Sequence, residues 1–289
     1  MQPKLTWKEL LARGEPLLLP CAHDALSARL IERAGFVAYG VGGYALVGAR
    51  HALPDIGLVG FGEMSAGIRD IMAASSLPVL VDCDDGYGDV KNVARTVAGY
   101  EAMGVSAIFM EDQRAPKRCG HMAGKDVIEA DAMAAKLRAA ADARRSAEFF
   151  IIARTDARAV HGLEDALRAE MYLKAGADGL FIEAPQSVEE LARIGRAFAG
   201  VPQLANMVEG GGRTPVLPPD ELYRLGFAMV AYPTTLIFRV ARAIEGALAD
   251  LKAARPAGKN DAVDFETFKD IVSLARWAEV ERRNSASDK

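Results

Sequence analysis

Short apolar runs alternate along this chain with longer, alanine-rich segments whose apolar residues recur at helical spacing. The runs at 17–22, 37–41, 78–82, 107–110, 149–153, 179–182, 203–205 and 228–231 read as strands. The segments at 24–34, 63–74, 90–103, 131–144, 163–175, 188–199 and 219–225 read as helices. Gly35, Gly104, Gly176 and Gly226 each follow one of these helices, where glycine takes the left-handed conformation at little cost. The chain thus reads as one strand–helix unit used repeatedly. Eight units predict an α/β fold of the TIM type, a closed parallel (α/β)8 barrel. An open doubly wound sheet is the alternative; no GxGxxG turn follows the first strand to support it.

Beyond the eighth strand, 235–254 reads as a helix, 255–261 as a break carrying Pro, Gly and Lys, and 265–282 as a second helix. The domain reading is a catalytic barrel over 1–254 and a helical extension over 255–289. Phe268, Ile271, Val272, Leu274, Ala275 and Ala278 form a one-sided stripe. Such a stripe needs a covering surface, either its own barrel or a neighbouring subunit.

The 289 residues are 51% hydrophobic and 26% charged, enough for one sizeable core, and the net charge of −4 gives no basic field for nucleic acid or anionic lipid. Cys21, Cys83 and Cys119 form no close pair, so neither zinc nor a disulfide framework is indicated. The polar start lacks the apolar stretch of a secretory signal, and no apolar run reaches the length of a membrane span. A cytoplasmic protein is the expectation.

Catalytic groups of parallel barrels sit at the carboxyl ends of strands. Here those ends carry Asp82, Cys83 and Asp84; Glu111 and Asp112; Arg154, Thr155 and Asp156; Glu183; and Asn206. Asp82 and Asp84, two apart, face the same side in extended backbone. With Glu111 they make an all-oxygen cluster suited to Mg2+ or Mn2+. The other reading of Asp84 or Asp85 is a cap for the next helix. Arg154 suits a carboxylate, either the substrate's or that of Glu183, or else a structural ion pair at the barrel mouth. In the loop 113–125, Cys119 is flanked by Lys117, Arg118 and His121, a setting expected to lower its thiol pKa, and Gly120 and Gly124 would let the loop move as a lid. The same pentapeptide also reads as a solvated basic loop with an incidental cysteine. Cys21 and Cys83 read as packing residues, Cys83 toward the helices. His23, His51 and His161 read as structural or surface residues.

Together these segments resemble the isocitrate lyase/phosphoenolpyruvate mutase superfamily, nearest its methylisocitrate lyase and 2,3-dimethylmalate lyase branch. The resemblance is carried by 24–29, 53–57, Val81 to Gly88, 92–96, Glu111 to Gln113, Lys117 to His121, Ala153 to Ala157 and Asn206 to Pro215. It covers about residues 24–240, in the family's order. It implies a Mg2+-dependent carbon–carbon lyase acting on a small 2-hydroxy/2-oxo carboxylate, usually a homotetramer whose last helices swap between neighbours. It implies Asp84 as direct metal ligand, with Asp82, Asp55 and Glu111 near it through water. It implies Gly42, Gly43 and Tyr44 as the turn receiving the oxo-acid carboxylate, with Asn206 and the loop residues Lys117, Arg118, Gly120 and His121 completing the substrate site. Cys119 becomes the acid/base, Arg154 the arginine near the reacting oxygen and Glu183 a supporting carboxylate.

Two departures matter. Many relatives carry Ser where Gly42 stands. The run from Asn206 to Pro215, with Gly210, Gly211 and Gly212, resembles the dimethylmalate lyase and oxaloacetate hydrolase branch and favours a smaller acid, while Arg213 keeps a tricarboxylate possible. The competing readings are an oxaloacetate hydrolase or decarboxylase, a Schiff-base aldolase, for which no strand supplies a lysine, and a non-catalytic oxo-acid-binding protein.

Overall fold

The computed structural model describes residues 5–258 and 261–285. Eight strands appear in chain order: β1 (Leu17–Pro20), β2 (Tyr39–Val41), β3 (Val79–Asp82), β4 (Ala107–Glu111), β5 (Phe150–Thr155), β6 (Gly179–Ile182), β7 (Gln203–Asn206) and β8 (Phe227–Tyr232). They form one parallel sheet, ordered β1-β8-β7-β6-β5-β4-β3-β2. The outer strands β1 and β2 meet through a parallel bridge between Cys21 and Gly40, where Ala22 N–H donates to the Gly40 carbonyl (2.9 Å). The sheet is therefore a nearly closed (α/β)8 barrel.

The helices are α1 (Trp7–Leu11), α2 (Ala25–Arg33), α3 (Gly43–His51), α4 (Phe61–Met72), α5 (Val90–Ala102), α6 (Ala130–Ala143), α7 (Ala157–His161), α8 (Leu163–Ala166), α9 (Ala169–Lys174), α10 (Val188–Ala197), α11 (Pro219–Arg224), α12 (Thr235–Lys252), α13 (Phe265–Ile271) and α14 (Leu274–Asn284). Several begin on a cap the sequence dictates. Asp24, Asp89 and Ser187 each accept a backbone N–H of the following first turn.

Alternate strand residues go to two apolar clusters. Leu17, Leu19, Leu80, Ala107, Phe150, Ile152, Phe181, Leu204 and Met229 fill the barrel. Their neighbours, among them Tyr39, Val79, Val81, Ile108, Ile151, Leu180 and Val230, pack against the helices. Both faces are buried, which is why the strands read as continuous apolar runs. The short helix α1 plugs the amino-terminal end of the barrel with Trp7 and Leu10, and the Trp7 indole N–H lies 3.4 Å from the Met229 sulfur.

Three helices escaped the sequence reading. Helix α1 has one turn, too little for a periodic pattern. Helix α3 follows Gly42 and Gly43, which read as turn residues. Helix α7 is five residues long. The predicted helix 163–175 is instead divided into α8 and α9. The predicted helix 265–282 is divided at Ser273, whose φ of 57° lies in the left-handed region.

The chain divides into compact units at Met1–Ile237 and Phe238–Lys289. The barrel and its surrounding helices lie in the first. In the second, Ile271 is the one buried apolar residue among those described, while Phe265, Phe268, Val272, Leu274, Trp277 and Val280 are exposed. No helix among the described residues is long and apolar enough to cross a membrane.

Candidate active site

The strand ends named above converge on one mouth of the barrel. Asp82, Asp84, Asp55, Glu111, Arg154 and Glu183 are all buried there. One Asp82 oxygen accepts the Gly43 amide and the other the Asp84 amide, each at 3.0 Å. Asp84 does not continue the strand: its φ of 50° is left-handed. The extended-backbone argument for a shared side therefore fails, and it is this turn that brings the two aspartates together. A Cβ on Gly43 would lie 3.4 Å from an oxygen of each, so the glycine lets backbone close over the acids. Neither Asp84 nor Asp85 caps the next helix; Asp89 does.

Lys117 reaches down from the loop into this cluster. Its ammonium is 2.5 Å from Asp84 and also pairs with Asp55. Burial nevertheless pushes the Asp84 carboxyl up to about 7, with Lys117 opposing the rise and Asp82 and Asp55 adding to it. Burial also raises Glu111. Oε1 of Glu111 is buried without a hydrogen bond, whereas the Asp84 oxygen Oδ1 faces the Lys117 ammonium. Among the described residues no three of these acids close around a single point. Glu111 is drawn toward Arg154, and Asp82 is held by backbone amides. Such a set suits Mg2+, which keeps several waters and takes few protein oxygens directly.

Arg154 leaves β5 into a nest of carboxylates. It grips Asp156 with two N–H groups (2.9 and 3.2 Å) and lies 3.2 Å from Glu111 and 3.4 Å from Glu183. Its guanidinium stacks on Phe181 at 5.0 Å. Burial would raise Glu183, but Arg154, then His121 and Lys125, overcome it and hold that carboxyl at about 2. Asn206 donates to the same carboxylate at 3.1 Å.

The loop is pinned at its base by an antiparallel bridge between Gln113 and Val127. The Gln113 amide group clasps the backbone of Arg118, donating to its carbonyl (2.8 Å) and accepting its N–H (2.9 Å). Cys119 N–H donates to the Asp55 carbonyl (3.1 Å). Gly120 sits so close to Arg154 and Glu183 that a Cβ there would lie 2.3 Å from the guanidinium. His121 accepts the Arg213 N–H at Nδ1 (3.1 Å), which leaves its ring proton on Nε2, 3.3 Å from Glu183. The loop is thus seated over the mouth, bridging the acidic cluster to the segment after β7.

Residues 7–252 match the phosphoenolpyruvate phosphomutase family. The 2,3-dimethylmalate lyase of Eubacterium barkeri is 42% identical over 277 residues, covering 95% of each chain. The chain belongs to the phosphoenolpyruvate mutase/isocitrate lyase superfamily. The 2-methylisocitrate lyase of Bacillus subtilis is 38% identical, covering 95% of this chain and 90% of its own. A solved structure of oxaloacetate acetylhydrolase with the inhibitor 3,3-difluorooxalacetate superposes with a TM-score of 0.92 at 29% identity, covering 98% of this chain and 97% of its own. Within the superfamily this chain is a carbon–carbon lyase.

In this superfamily member the basic neighbours of Cys119 do not lower its thiol pKa. Burial pushes it up to about 11, only partly opposed by the His121 backbone hydrogen bond and by Arg154. The charges expected to act on the thiol are spent elsewhere. Lys117 serves Asp55 and Asp84, His121 serves Glu183, and Arg118 is exposed with its guanidinium beside Gly124 of the same loop. A thiol so placed stays protonated at neutral pH. Iodoacetamide, which attacks the thiolate, should therefore inactivate at a rate still climbing steadily between pH 7 and 10, as followed by peptide mapping of Cys119. A plateau below pH 9 would contradict this half-buried setting.

Cys83 points to the helix layer, its sulfur 2.9 Å from the Phe109 carbonyl, and Cys21 is likewise buried. His23 is buried, whereas His51 and His161 are exposed. The turn Gly42–Tyr44 forms the start of α3, with Gly42 at the cap position, and a Cβ on Gly42 would meet nothing within 4 Å. Burial raises the Tyr44 phenol, to which the nearby Cys119 and Asp55 add.

Three residues play parts that the sequence reading did not assign to them. Asp156 stands two residues from Arg154, and the strand periodicity could have paired them. Gln113 belongs to the Glu111–Gln113 segment, but its hold on Arg118 depends on the loop's return path. Lys125 carries no signal at all. Its side chain is 3% exposed, 2.8 Å from Asp156, and it also donates to the Gly120 carbonyl.

Proposed function

We propose that this lyase cleaves a small branched 2-hydroxy dicarboxylate, of the 2,3-dimethylmalate or 2-methylisocitrate type, into pyruvate or a similar 2-oxo acid and a carboxylate. The observation that carries this reading is the seating of Cys119, through its bond to Asp55, over a mouth that holds Asp84 and Arg154.

Asp84, supported by Asp82, Asp55 and Glu111, would hold a bivalent cation, Mg2+ or Mn2+, which would supply a lower cost of ionising the substrate's 2-hydroxyl. The amino end of α3, at Gly42, Gly43 and Tyr44, presents its positive dipole end to the carboxylate next to that hydroxyl. The hydroxyl proton passes to a carboxylate of this cluster, Glu111 being the one with an unbonded oxygen. As the C2–C3 bond breaks, C2 becomes the carbonyl carbon of the 2-oxo acid, and the electron pair of that bond passes to C3 and spreads into the adjoining carboxylate. Arg154 and Asn206, with Lys117 from the seated loop, provide prearranged donors for that charge. Glu183 orients Arg154 and Asn206 and fixes the His121 ring. The Cys119 thiol gives its proton to C3, and the carboxylate product leaves when the loop lifts. The seated loop excludes water from the carbanion.

The likeness to oxaloacetate acetylhydrolase supports a second reading, hydrolysis of oxaloacetate at the same acidic cluster. Gly42 and the glycines after β7 leave backbone where other sequences would place side chains, which favours a compact substrate. The exposed apolar residues of α13 and α14 support a homotetramer in which these helices exchange between subunits. A cytoplasmic location remains part of the same proposal.

A screen of 2,3-dimethylmalate, 2-methylisocitrate and oxaloacetate, read by pyruvate release and by oxalate formation, tests the function. Pyruvate is expected from one of the first two. Exhaustive chelation should abolish that release and added Mg2+ restore it. Oxalate from oxaloacetate, without pyruvate from the other acids, would give the second reading the field.

A further inference from the structure

Lys125 lies in no role that the reaction above requires. It sits at the foot of the loop, just before the hydrogen bonds that pin the loop's base: Arg114 N–H to Asp126 and Ile128 N–H to Asp112, each at 2.8 Å. Its backbone belongs to the loop, but its ammonium is almost wholly buried and bridges two separate elements. One contact is the Asp156 carboxylate, at the end of β5 (2.8 Å). The other is the carbonyl of Gly120, next to the proposed proton donor. Asp156 in turn holds Arg154 with two hydrogen bonds. The backbone N–H of Asp156 is itself held by the Asp112 carboxylate (2.9 Å).

We propose that Lys125 is a positioning residue that couples the seating of the 115–125 loop to the orientation of Arg154. With the loop down, one cation ties the Gly120 carbonyl to the carboxylate that aims the guanidinium. With the loop raised, the Gly120 carbonyl leaves and Asp156 loses one of its two cationic partners. Cys119 and Arg154 are thereby brought to their working positions in the same event. A lysine is suited to this because its ammonium offers three donors from a single point. The loop's other anchors, Lys117 at Asp55 and Asp84 and His121 at Glu183, hold it to other carboxylates of the mouth. Neither of them touches Asp156.

The coupling rests on the functional reading for its consequence in turnover, but its structural half is tested without a substrate. In the Mg2+-loaded protein at pH 8, the iodoacetamide alkylation rate of Cys119 is measured for wild type, Lys125→Met, Lys125→Gln and Lys125→Arg. A lifted loop exposes the thiol, so Lys125→Met should react at least about tenfold faster. Removing a nearby positive charge can only disfavour the thiolate, so an electrostatic effect alone runs the other way. Lys125→Gln keeps a donor for Asp156 and hence a folded protein, and should react about threefold faster. Lys125→Arg, which retains the charge and several donors, should restore most of the wild-type protection. With a cleaved substrate in hand, Lys125→Met should lose about tenfold or more in kcat, with a smaller change in KM. Wild-type alkylation rates in folded Lys125→Met or Lys125→Gln would overturn the proposal. Should no substrate be cleaved by wild type, the functional reading fails while the alkylation series still decides the coupling.

Discussion

Cys119→Ser should turn over substrate about 10²–10⁴-fold more slowly than wild type, the range associated with loss of a general acid. Serine nearly matches the thiol in size, so the loop should still seat: its anchors are Lys117, Gly120, His121 and the backbone bond from residue 119 to Asp55. What changes is proton affinity. A hydroxyl is a far poorer acid than a thiol, and the burial that pushes Cys119 up to about 11 would push a hydroxyl further. KM should therefore stay close to wild type while kcat falls, the pattern of a group that acts in the chemical step. Turnover within a few-fold of wild type would remove Cys119 from the reaction.

Arg154→Met should be damaging twice over. Its guanidinium balances Glu111, Asp156 and Glu183, all three buried. Withdrawing it leaves buried carboxylates with too little positive charge, a loss of about 3–5 kcal/mol by comparison with other broken buried pairs. Some of that is avoided by protonation, so Glu183, now held at about 2 by this arginine against the pull of burial, should rise. Removing a prearranged donor to developing negative charge should also lower turnover about 10²–10³-fold in whatever protein still folds. Arg154→Lys separates the two effects. A lysine restores charge and much of the stability, but cannot supply the fork that grips Asp156 while reaching Glu183. Urea unfolding and kcat measured together check both, and a Met variant with wild-type stability would show that the carboxylates do not depend on Arg154.

The barrel was legible because its strands are buried on both sides and most of the longer helices between them are amphipathic. That combination leaves eight apolar runs in the sequence with periodic segments between them. Helices α1 and α7 were not legible, since a single turn carries no period. Helix α3 was hidden behind Gly42 and Gly43, whose backbone serves the acidic cluster as well as the helix start.

The strand-end rule placed Asp82, Glu111, Arg154, Glu183 and Asn206 at one mouth without any three-dimensional information. The same rule could not foresee what those groups do to one another. Asp84 reaches Asp82 through a left-handed turn, not along an extended strand. The basic residues around Cys119 looked like activators of a thiolate because sequence neighbours were taken as spatial ones. The fold instead sends Lys117 and His121 to carboxylates from other segments, and burial then dominates the thiol. Lys125 was invisible for the same reason: its partners lie 31 residues ahead and five behind.

The central claim is that the Cys119 proton travels to the carbon released by C2–C3 cleavage. It is tested most directly by running the enzyme backward without net reaction. With Mg2+, pyruvate and the carboxylate product of the acid it cleaves (propionate from 2,3-dimethylmalate, succinate from 2-methylisocitrate) in D2O, wild type should wash deuterium into the carbon next to that product's carboxylate, seen by proton NMR, and Cys119→Ser should not. Exchange at the wild-type rate in the serine variant would contradict the account.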